Sequence, residues 1–214
     1  MTTAAFVLFG DVVRSRADAP AGTAWLRELI AELETVYPRS ARLAPFAFTQ
    51  GDELQALLRI EADPFEAVLR GTLDERALPM RWVIVAGGVE PGRGPATERT
   101  GPAFLAARTL LEQARARRDG LVVRVGDGPS DDVLAELAPL LADLLADLTA
   151  RQRSIARLML VDHLRQSEVA ERVGVSRATI SVMAERARIR RIEGLLAVLR
   201  RIVADGIAAA REVP

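Results

Sequence analysis

The stretch Phe46-Ala47-Phe48-Thr49-Gln50-Gly51-Asp52-Glu53-Leu54-Gln55-Ala56-Leu57-Leu58 predicts a β-hairpin on which the rest of the fold depends. Gly51-Asp52 supplies the turn, because glycine reaches positive φ without strain and aspartate tolerates turn geometry. After the turn, apolar residues recur at every second position from Leu54 to Leu58, which is the period of a strand. The hairpin therefore presents two carboxylates, Asp52 and Glu53, at its tip.

Another carboxylate, Asp11, lies near the end of a continuous apolar run over residues 4–13, which is typical of a strand buried on both faces. Acidic residues at two strand ends indicate a divalent-cation site if the strands are neighbours, so Asp11 and Asp52 are the candidate ligands of a metal ion such as Mg²⁺. The alternative is that both carboxylates only accept hydrogen bonds from backbone N–H groups at the strand ends.

The order of predicted elements in the first half of the chain favours an α+β fold. The order is strand, helix, strand, strand, helix, strand, helix, strand. The predicted strands are 4–13, the two strands of the hairpin at 42–60, 80–89 and 120–127. The predicted helices are 19–37, one that begins at 63, and 101–118. The first six elements match the split βαβ arrangement of ferredoxin-like folds. That arrangement places the first strand beside the hairpin, which would bring Asp11 and Asp52 together.

Composition excludes several kinds of site. The 214 residues include no Cys and one His, which excludes disulfides, thiolate zinc sites and histidine-rich metal centres. All basic residues are Arg, so lysine-based phosphate binding and Schiff-base chemistry are excluded as well. No stretch of about 18 apolar residues occurs, so no membrane span is expected. The N-terminus lacks the pattern of a signal peptide, and a cytoplasmic protein is therefore expected.

Charge divides the chain into parts with different expected partners. Residues 149–201 hold 12 Arg against 5 acidic residues, whereas residues 1–128 hold 16 Arg against 17 acidic residues. We therefore predict a ferredoxin-like domain over 1–128, a connector helix over 129–148 and a basic helical domain over 149–214. Within the last part, helices are predicted at about 150–162, 166–173 and 177–190, followed by an amphipathic helix to about 210.

The segment from Gln166 to Ser181 has the pattern of a helix-turn-helix. Ala170 is small where two helices would cross, Gly174 allows a left-handed turn residue, and Ser176 can cap the second helix. A second helix of this kind reaches base edges in the major groove of double-stranded DNA through its N-terminal residues. The predicted DNA-contacting residues are Gln166, Ser176, Arg177, Thr179, Ser181 and Arg186. The alternative is a helical hairpin used for protein contact.

A third candidate site follows the first strand, where Arg14, Ser15 and Arg16 precede the first helix. Helix N-termini attract anions, so these residues are predicted to bind a phosphate or nucleotide. The alternative is an ordinary exposed loop between a strand and a helix.

Two family resemblances are carried by these motifs. The segment from Leu148 to Arg188 resembles region 4 of sigma factors and related output domains of response regulators. The N-terminal half resembles class III nucleotide cyclase and GGDEF catalytic domains, through Leu8-Phe9-Gly10-Asp11-Val12-Val13, Thr49-Gln50-Gly51-Asp52-Glu53-Leu54 and Gly101-Pro102-Ala103-Phe104-Leu105-Ala106-Ala107-Arg108. The cyclase resemblance implies that Asp11 and Asp52 hold magnesium, and that Arg108 stabilises the charge of the transition state.

The sequence departs from the cyclase pattern at two positions. Phe104 stands where the family has an asparagine, and Phe48 lies near the position of the base-recognition lysine. These departures favour a cyclase-like domain that senses a ligand or dimerises over one that catalyses. The alternative is an active magnesium-dependent nucleotide cyclase or nucleotidyl transferase fused to a DNA-binding unit. A third, weaker possibility is an interaction scaffold in which neither motif functions.

The combination of motifs over nearly the whole chain is similar to the SatD family, which is characterised by the strand ending at Asp11, the hairpin, the helix carrying Arg108 and a C-terminal helix-turn-helix. The resemblance implies a cytoplasmic DNA-binding transcriptional regulator. Such proteins mostly bind as dimers, so we expect a homodimer on double-stranded DNA, with the leucine-rich helices at 130–148 and 191–210 as candidate dimer surfaces. A nucleotide is a candidate ligand of the N-terminal domain.

Overall fold

The structure is a computed structural model, and it describes residues 2–13, 19–49 and 53–212. Its strands are β1 (Thr3–Val12), β2 (Arg42–Phe48), β3 (Glu53–Arg59), β4 (Met80–Val89) and β5 (Leu121–Arg124). Three α-helices lie between them, α1 (Ala19–Val36), α2 (Phe65–Leu73) and α3 (Pro102–Arg117), and a short 3-10 helix (Ala96–Glu98) precedes α3. Five helices follow: α4 (Gly128–Ala146), α5 (Ala150–Leu160), α6 (Gln166–Val173), α7 (Arg177–Arg186) and α8 (Ile189–Glu212).

The five strands form one sheet in the order β2-β3-β1-β4-β5. β1 is central and runs antiparallel to both β3 and β4, whereas β5 runs parallel to β4. The first four strands thus have the order and directions of a ferredoxin-like sheet, and β5 extends it by one strand. The predicted α+β, ferredoxin-like fold is confirmed, including the placement of β1 beside the second strand of the hairpin.

Successive side chains of β1 point to opposite faces of the sheet, and both faces are covered. Phe6 and Leu8 pack into a large core, which α1, α2 and α4 share with the C-terminal helices. Phe9 points to the other face, where α3 supplies Phe104 and Leu111. This explains why β1 is a continuous apolar run. The sheet therefore separates α3 from the helical half of the molecule.

Trp82 fixes the packing of α2 on the sheet. Its side chain is 1 % exposed, and its ring lies against the backbone at two glycines. A Cβ atom added at Gly71 of α2 would overlap the Trp82 ring, and one added at Gly10 of β1 would lie 3.0 Å from it. Glycine at these positions lets the helix and the strand approach the indole directly.

The helical half is organised by α4 and α8, which pack antiparallel. Arg188 at the start of α8 lies 3.9 Å from Asp147 just after α4, and a Cβ atom at Gly206 near the end of α8 would lie 2.8 Å from Ser130 near the start of α4. Their buried residues form one row on each helix. No helix in the described part of the chain is long and apolar enough to cross a membrane.

The predicted helix over 177–190 is wrong in its C-terminal part, because α7 ends at Arg186 and α8 begins at Ile189. Ala187 is buried at the junction, and Arg188 adopts a left-handed conformation with φ 54°. The turn lets both the buried side of α7, with Ile180 and Ala184, and Ile189 of α8 reach the shared core. Helical periodicity alone runs across this junction and does not reveal the turn.

Ion pairs join α5 to the ferredoxin-like domain. Glu32 of α1 pairs with Arg157 of α5 and, at 2.6 Å, with Arg70 of α2. Arg200 of α8 reaches Asp63 at 2.6 Å, on the loop before α2. These contacts supplement the continuous apolar core, so the helical half is held against the sheet domain on two sides.

The close contact of Gly71 with Trp82 predicts that Gly71→Ala destabilises the protein. The added methyl group has no space, so overpacking should lower the free energy of unfolding by about 1–3 kcal/mol. Chemical denaturation followed by circular dichroism measures this change.

Gly194→Ala is the matched control, because Gly194 also lies inside a helix and nothing lies within 4 Å of an added Cβ atom there. This control should raise the free energy of unfolding by about 0.5–1 kcal/mol, since alanine is the better helix former. Equal stabilisation by both substitutions would contradict the proposed role of Gly71.

Candidate functional site

Helices α6 and α7 form a helix-turn-helix with a three-residue turn over 174–176. Gly174 adopts the left-handed conformation at φ 73°, and its N–H donates to the Ala170 carbonyl oxygen at 3.0 Å. The side chain of Ser176 accepts the N–H of Thr179 at 3.1 Å and so caps α7. Ile180 and Val169 are fully buried between the helices. The roles predicted for Gly174 and Ser176 in this motif are confirmed, and Ala170 is buried.

The outer surface of α7 is solvent-exposed and carries most of the residues predicted to contact DNA. Arg177, Thr179, Ser181 and Arg186 are all exposed. The hydroxyl groups of Ser176 and Thr179 lie 2.9 Å apart, so both are already hydrogen-bonded at the start of the helix. Gln166 is the first residue of α6 and is half-buried.

Two further exposed residues of α7 were not predicted as contacts. Val182 is 51 % exposed, which is unusual for a large apolar side chain, and Glu185 is exposed one turn after Ser181. A valine methyl group can contact the methyl group of thymine, and a carboxylate can accept a hydrogen bond from the cytosine amino group. The exposed position of Val182 could have been found from the sequence, because Ile180 and Ala184 define the buried side of α7.

A basic surface lies at the junction of α7 and α8. Four arginines line a depression of about 440 Å³ together with Ala184, Glu185 and Ile189. They are exposed and adjoin the C-terminal end of α7. Guanidinium groups in this position can pair with phosphates on either side of a groove, which adds affinity without reading sequence. The four residues are Arg186, Arg188, Arg190 and Arg191.

A second polar site lies on the α3 face of the sheet, across three neighbouring strands. Asp11 of β1 is directly opposite Glu53 of β3 and Arg81 of β4. All three side chains are largely buried, with Asp11 and Glu53 each 6 % exposed. Arg81 Nη1 donates to Asp11 Oδ2 at 2.7 Å, and Gln55 Nε2 donates to Glu53 Oε1 at 2.7 Å. The two carboxylates are therefore fixed from within the sheet.

Helix α3 completes this arginine–carboxylate cluster, which we define as Asp11, Glu53, Arg81, Arg108 and Arg115. Arg115 binds Asp11 through two atoms, with Nη2 at 2.7 Å from Oδ1 and Nε at 3.2 Å from Oδ2. These hydrogen bonds raise the pKa of Arg115 above its ordinary value. Nη2 of Arg115 also lies 3.4 Å from Glu53 Oε2. Both oxygens of Asp11 thus face guanidinium groups.

Arg108, which the cyclase resemblance singled out, lies at the edge of this cluster. Its Nη2 atom is 3.8 Å from Glu53 Oε1, and its guanidinium group lies 5.4 Å above the ring of Phe9. The side chain is 57 % exposed. Phe104 is buried four residues earlier and packs against Phe9 with ring centroids 6.2 Å apart. Phe104 therefore stabilises the contact between α3 and the sheet.

Several predicted site residues lie outside the described part of the chain, namely Asp52, Arg14, Ser15 and Arg16. Their predicted roles as metal and phosphate ligands stay predictions. Among residues 2–13, 19–49 and 53–212, no three acidic or histidine side chains are grouped so that they could hold a metal ion. The sequence analysis did not name Glu53 as a site residue, although its alternation with Gln55 and Leu57 indicates that it points to the α3 face with Asp11.

The helical half is similar to one known family. Residues 139–203 match the family model of the TrfB plasmid transcriptional repressor. The matched segment extends from the second half of α4 through α5, α6 and α7 into α8, so it contains the complete helix-turn-helix. No curated protein matches the chain.

Proposed function

We propose that this protein is a DNA-binding transcriptional repressor that reads the major groove with α7. The observation that carries the proposal is the capped α6–α7 helix-turn-helix with its exposed outer surface. Arg177, Thr179 and Ser181 lie on that surface beside a cluster of four arginines, whereas the opposite side of α7 is buried through Ile180 and Ala184. Such an arrangement meets the requirements for a recognition helix, which needs a rigid base and free side chains.

The family comparison supports this proposal. The matched family is described as a plasmid transcriptional repressor, and the match covers the whole helix-turn-helix. In the proposed complex, Arg177 and Ser181 contact base edges, because they lie near the exposed N-terminal end of α7. The arginines at the start of α8 contact phosphates and position the helix in the groove.

For the ferredoxin-like domain, we propose a role in sensing or assembly. In this role the ion pairs of the arginine–carboxylate cluster stabilise the fold and do not bind a metal ion, and we call this arrangement the structural lock. Asp11 is held by Arg81 and Arg115, so a cation could enter only by displacing these guanidinium groups. The position of Phe104 agrees with this role, because it is used for packing between α3 and the sheet. The ion pairs and apolar core that join this domain to α5 offer a route by which changes in it could reach the DNA-binding surface.

The DNA-binding proposal predicts separable effects of two arginine substitutions. We expect Arg177→Ala to weaken binding to a duplex selected from a random-sequence library by about 1–3 kcal/mol, with less loss on a scrambled duplex. We expect Arg191→Ala to weaken binding to both duplexes alike, and to lower the slope of log K against log salt by about 1, since one phosphate contact is lost. Fluorescence anisotropy at several salt concentrations measures both effects.

Arg39→Ala is the matched control, because Arg39 is exposed on the turn between α1 and β2 and its loss changes net charge equally. It should leave affinity and salt slope unchanged. Binding of selected and scrambled duplexes with equal affinity by the unmodified protein would contradict the proposed sequence reading. An effect of Arg39→Ala equal to that of Arg177→Ala would show that only net charge matters.

The proposed structural lock predicts a large loss of stability in Asp11→Asn. Removing the charge leaves the buried guanidinium group of Arg81 without its ionic partner, so the free energy of unfolding should fall by about 3–5 kcal/mol. Addition of Mg²⁺ should not raise the unfolding temperature of the unmodified protein. Differential scanning fluorimetry and chemical denaturation measure these two quantities.

Glu112→Gln is the matched control, because Glu112 also pairs with Arg115 at 2.7 Å but its side chain is 64 % exposed. The expected change in the free energy of unfolding is about 0.5 kcal/mol or less. A Mg²⁺-dependent rise in unfolding temperature that Asp11→Asn abolishes would contradict the lock and favour the metal site predicted from the sequence. If the unmodified protein turns over a nucleoside triphosphate and Asp11→Asn does not, the result would favour an enzyme.

A further inference from the structure

A cavity of about 280 Å³ lies where the ferredoxin-like domain meets the helical half. Its walls come from α2, from the first residues of β4 and β5, from the last turn of α4 and from α5. Helix α4 closes one side, since a Cβ atom added at Gly120 would lie 2.8 Å from Ala142. The cavity shares no lining residue with the arginine–carboxylate cluster or with the outer surface of α7.

Trp82 brings an unsatisfied hydrogen-bond donor to this cavity. Its side chain is 1 % exposed, and its indole Nε1 atom is buried with no hydrogen-bond partner among the residues that the structure describes. The backbone at Gly10 and Gly71 lies against the six-membered part of the ring, which fixes the direction of the N–H group. A buried indole N–H usually has a partner, because an unsatisfied donor costs free energy. The cavity that Trp82 lines is the place from which a partner can come.

Arg153 of α5 supplies a second donor and a positive charge to the same cavity. Its Nη1 atom donates to the carbonyl oxygen of Ala77 at 3.3 Å, whereas its Nε atom is buried without a partner in the described part of the chain. Arg157, one turn later on α5, pairs with Glu32, but no described carboxylate lies within ion-pair distance of Arg153. A half-buried guanidinium group without a counter-ion favours the binding of an anion.

The rest of the lining favours a ligand with an apolar body. Nine of the fourteen described lining residues are apolar, and Val68 and Leu121 among them are almost completely buried. The charged lining residues are Arg118, Arg153 and Asp143, so the net charge is positive. Ligand pockets commonly combine apolar walls with a few polar groups. An apolar cavity of about 150 Å³ binds benzene, so this cavity has space for a ring or short chain that carries a carboxylate.

We propose that this cavity binds a small organic carboxylate with an apolar body, either a single aromatic ring or a short aliphatic chain. The carboxylate accepts hydrogen bonds from Trp82 Nε1 and Arg153 Nε, and the apolar body packs against Val68 and Leu121. Helix α5 forms one wall and belongs to the same core as α6 and α7, so the bound carboxylate holds the helix-turn-helix against the ferredoxin-like domain. This names a ligand for the proposed sensing role, and only the effect on DNA rests on the proposed function.

Proton–nitrogen correlation NMR spectroscopy of the full chain tests the site, with benzoate, hexanoate and benzyl alcohol as probes. The chain has two tryptophans and so gives two indole N–H signals, of which Trp25→Phe identifies that of Trp82. We expect benzoate or hexanoate to shift the Trp82 signal to higher proton frequency until it saturates, because the N–H gains an acceptor. Benzyl alcohol has the ring of benzoate without its charge and should bind about tenfold more weakly.

Substitutions separate the contributions of charge and space. Arg153→Met removes the guanidinium group, so benzoate should bind about tenfold more weakly and no better than benzyl alcohol. Thr72→Leu adds apolar volume to the half-buried wall that α2 contributes, so it should weaken the binding of benzoate and of benzyl alcohol alike. Arg151→Met is the matched control, because Arg151 is exposed on the same helix outside the cavity and should leave binding unchanged.

The results decide between a carboxylate site and a cavity that holds only water. A saturable shift of the Trp82 signal, weakened by Arg153→Met and Thr72→Leu but not by Arg151→Met, supports the site. If neither benzoate nor hexanoate shifts that signal, water suffices for the two donors and the proposal is overturned. Equal affinity of benzoate for the unmodified protein and for Arg153→Met also overturns it.

The effect on DNA is measured separately, by fluorescence anisotropy with the selected duplex. We expect benzoate to change the duplex affinity of the unmodified protein but not that of Arg153→Met, and linkage requires the duplex to change the affinity for benzoate by the same factor. If benzoate binds and the duplex affinity stays the same, the coupling of the cavity to α7 is overturned. If no duplex binds specifically, the proposed DNA binding fails while the carboxylate site stands.

Discussion

The antiparallel packing of α4 against α8 is the contact on which the rest of this structure depends. α4 continues directly from the edge strand β5 and packs on it, whereas α8 continues directly from α7. Their buried side chains therefore join the sheet to the helix-turn-helix, and they belong to the same core as the α1–α2 face of the sheet. Apolar burial of this kind is strong but non-directional. The ion pairs of Glu32 and Arg200 help to fix the orientation of the helical half on the sheet domain. The surface of α7 is thus presented by a rigid base.

The two polar sites of the molecule differ in how their charges are satisfied. In the arginine–carboxylate cluster, the carboxylates of Asp11 and Glu53 are buried and face guanidinium groups or an amide, so the charges are neutralised within the fold. At the junction of α7 and α8, the arginines are exposed and their positive charge faces solvent. The second arrangement presents several exposed guanidinium groups side by side to a polyanion, whereas in the first only Arg108 is mainly exposed. This contrast is the physical reason for assigning DNA binding to the helical half and a structural role to the cluster.

The sequence predicted much of the architecture because the signals involved are local and periodic. The apolar run of β1, the alternation after the hairpin turn and the positions of Gly174 and Ser176 each follow from one residue's conformational preference or from a period of 2 or 3.6. The register that pairs Asp11 with Glu53 and Arg81 could not be predicted, because it depends on how three strands align. The turn at Ala187-Arg188 was missed because the helical period runs across it. The dimer surfaces predicted on the leucine-rich helices stay a prediction, although most leucines of α4 and α8 are buried within the chain.

The most direct test of the central claim is methylation interference on a duplex that the protein has selected from a random library. Methylation of guanine at N7 places a methyl group in the major groove, where α7 is proposed to read base edges. The account predicts that methylation at a few guanines within each half-site abolishes binding, and that guanines outside the half-sites have no effect. Binding that is indifferent to every N7 methyl group would contradict recognition by α7, whatever the total affinity for DNA.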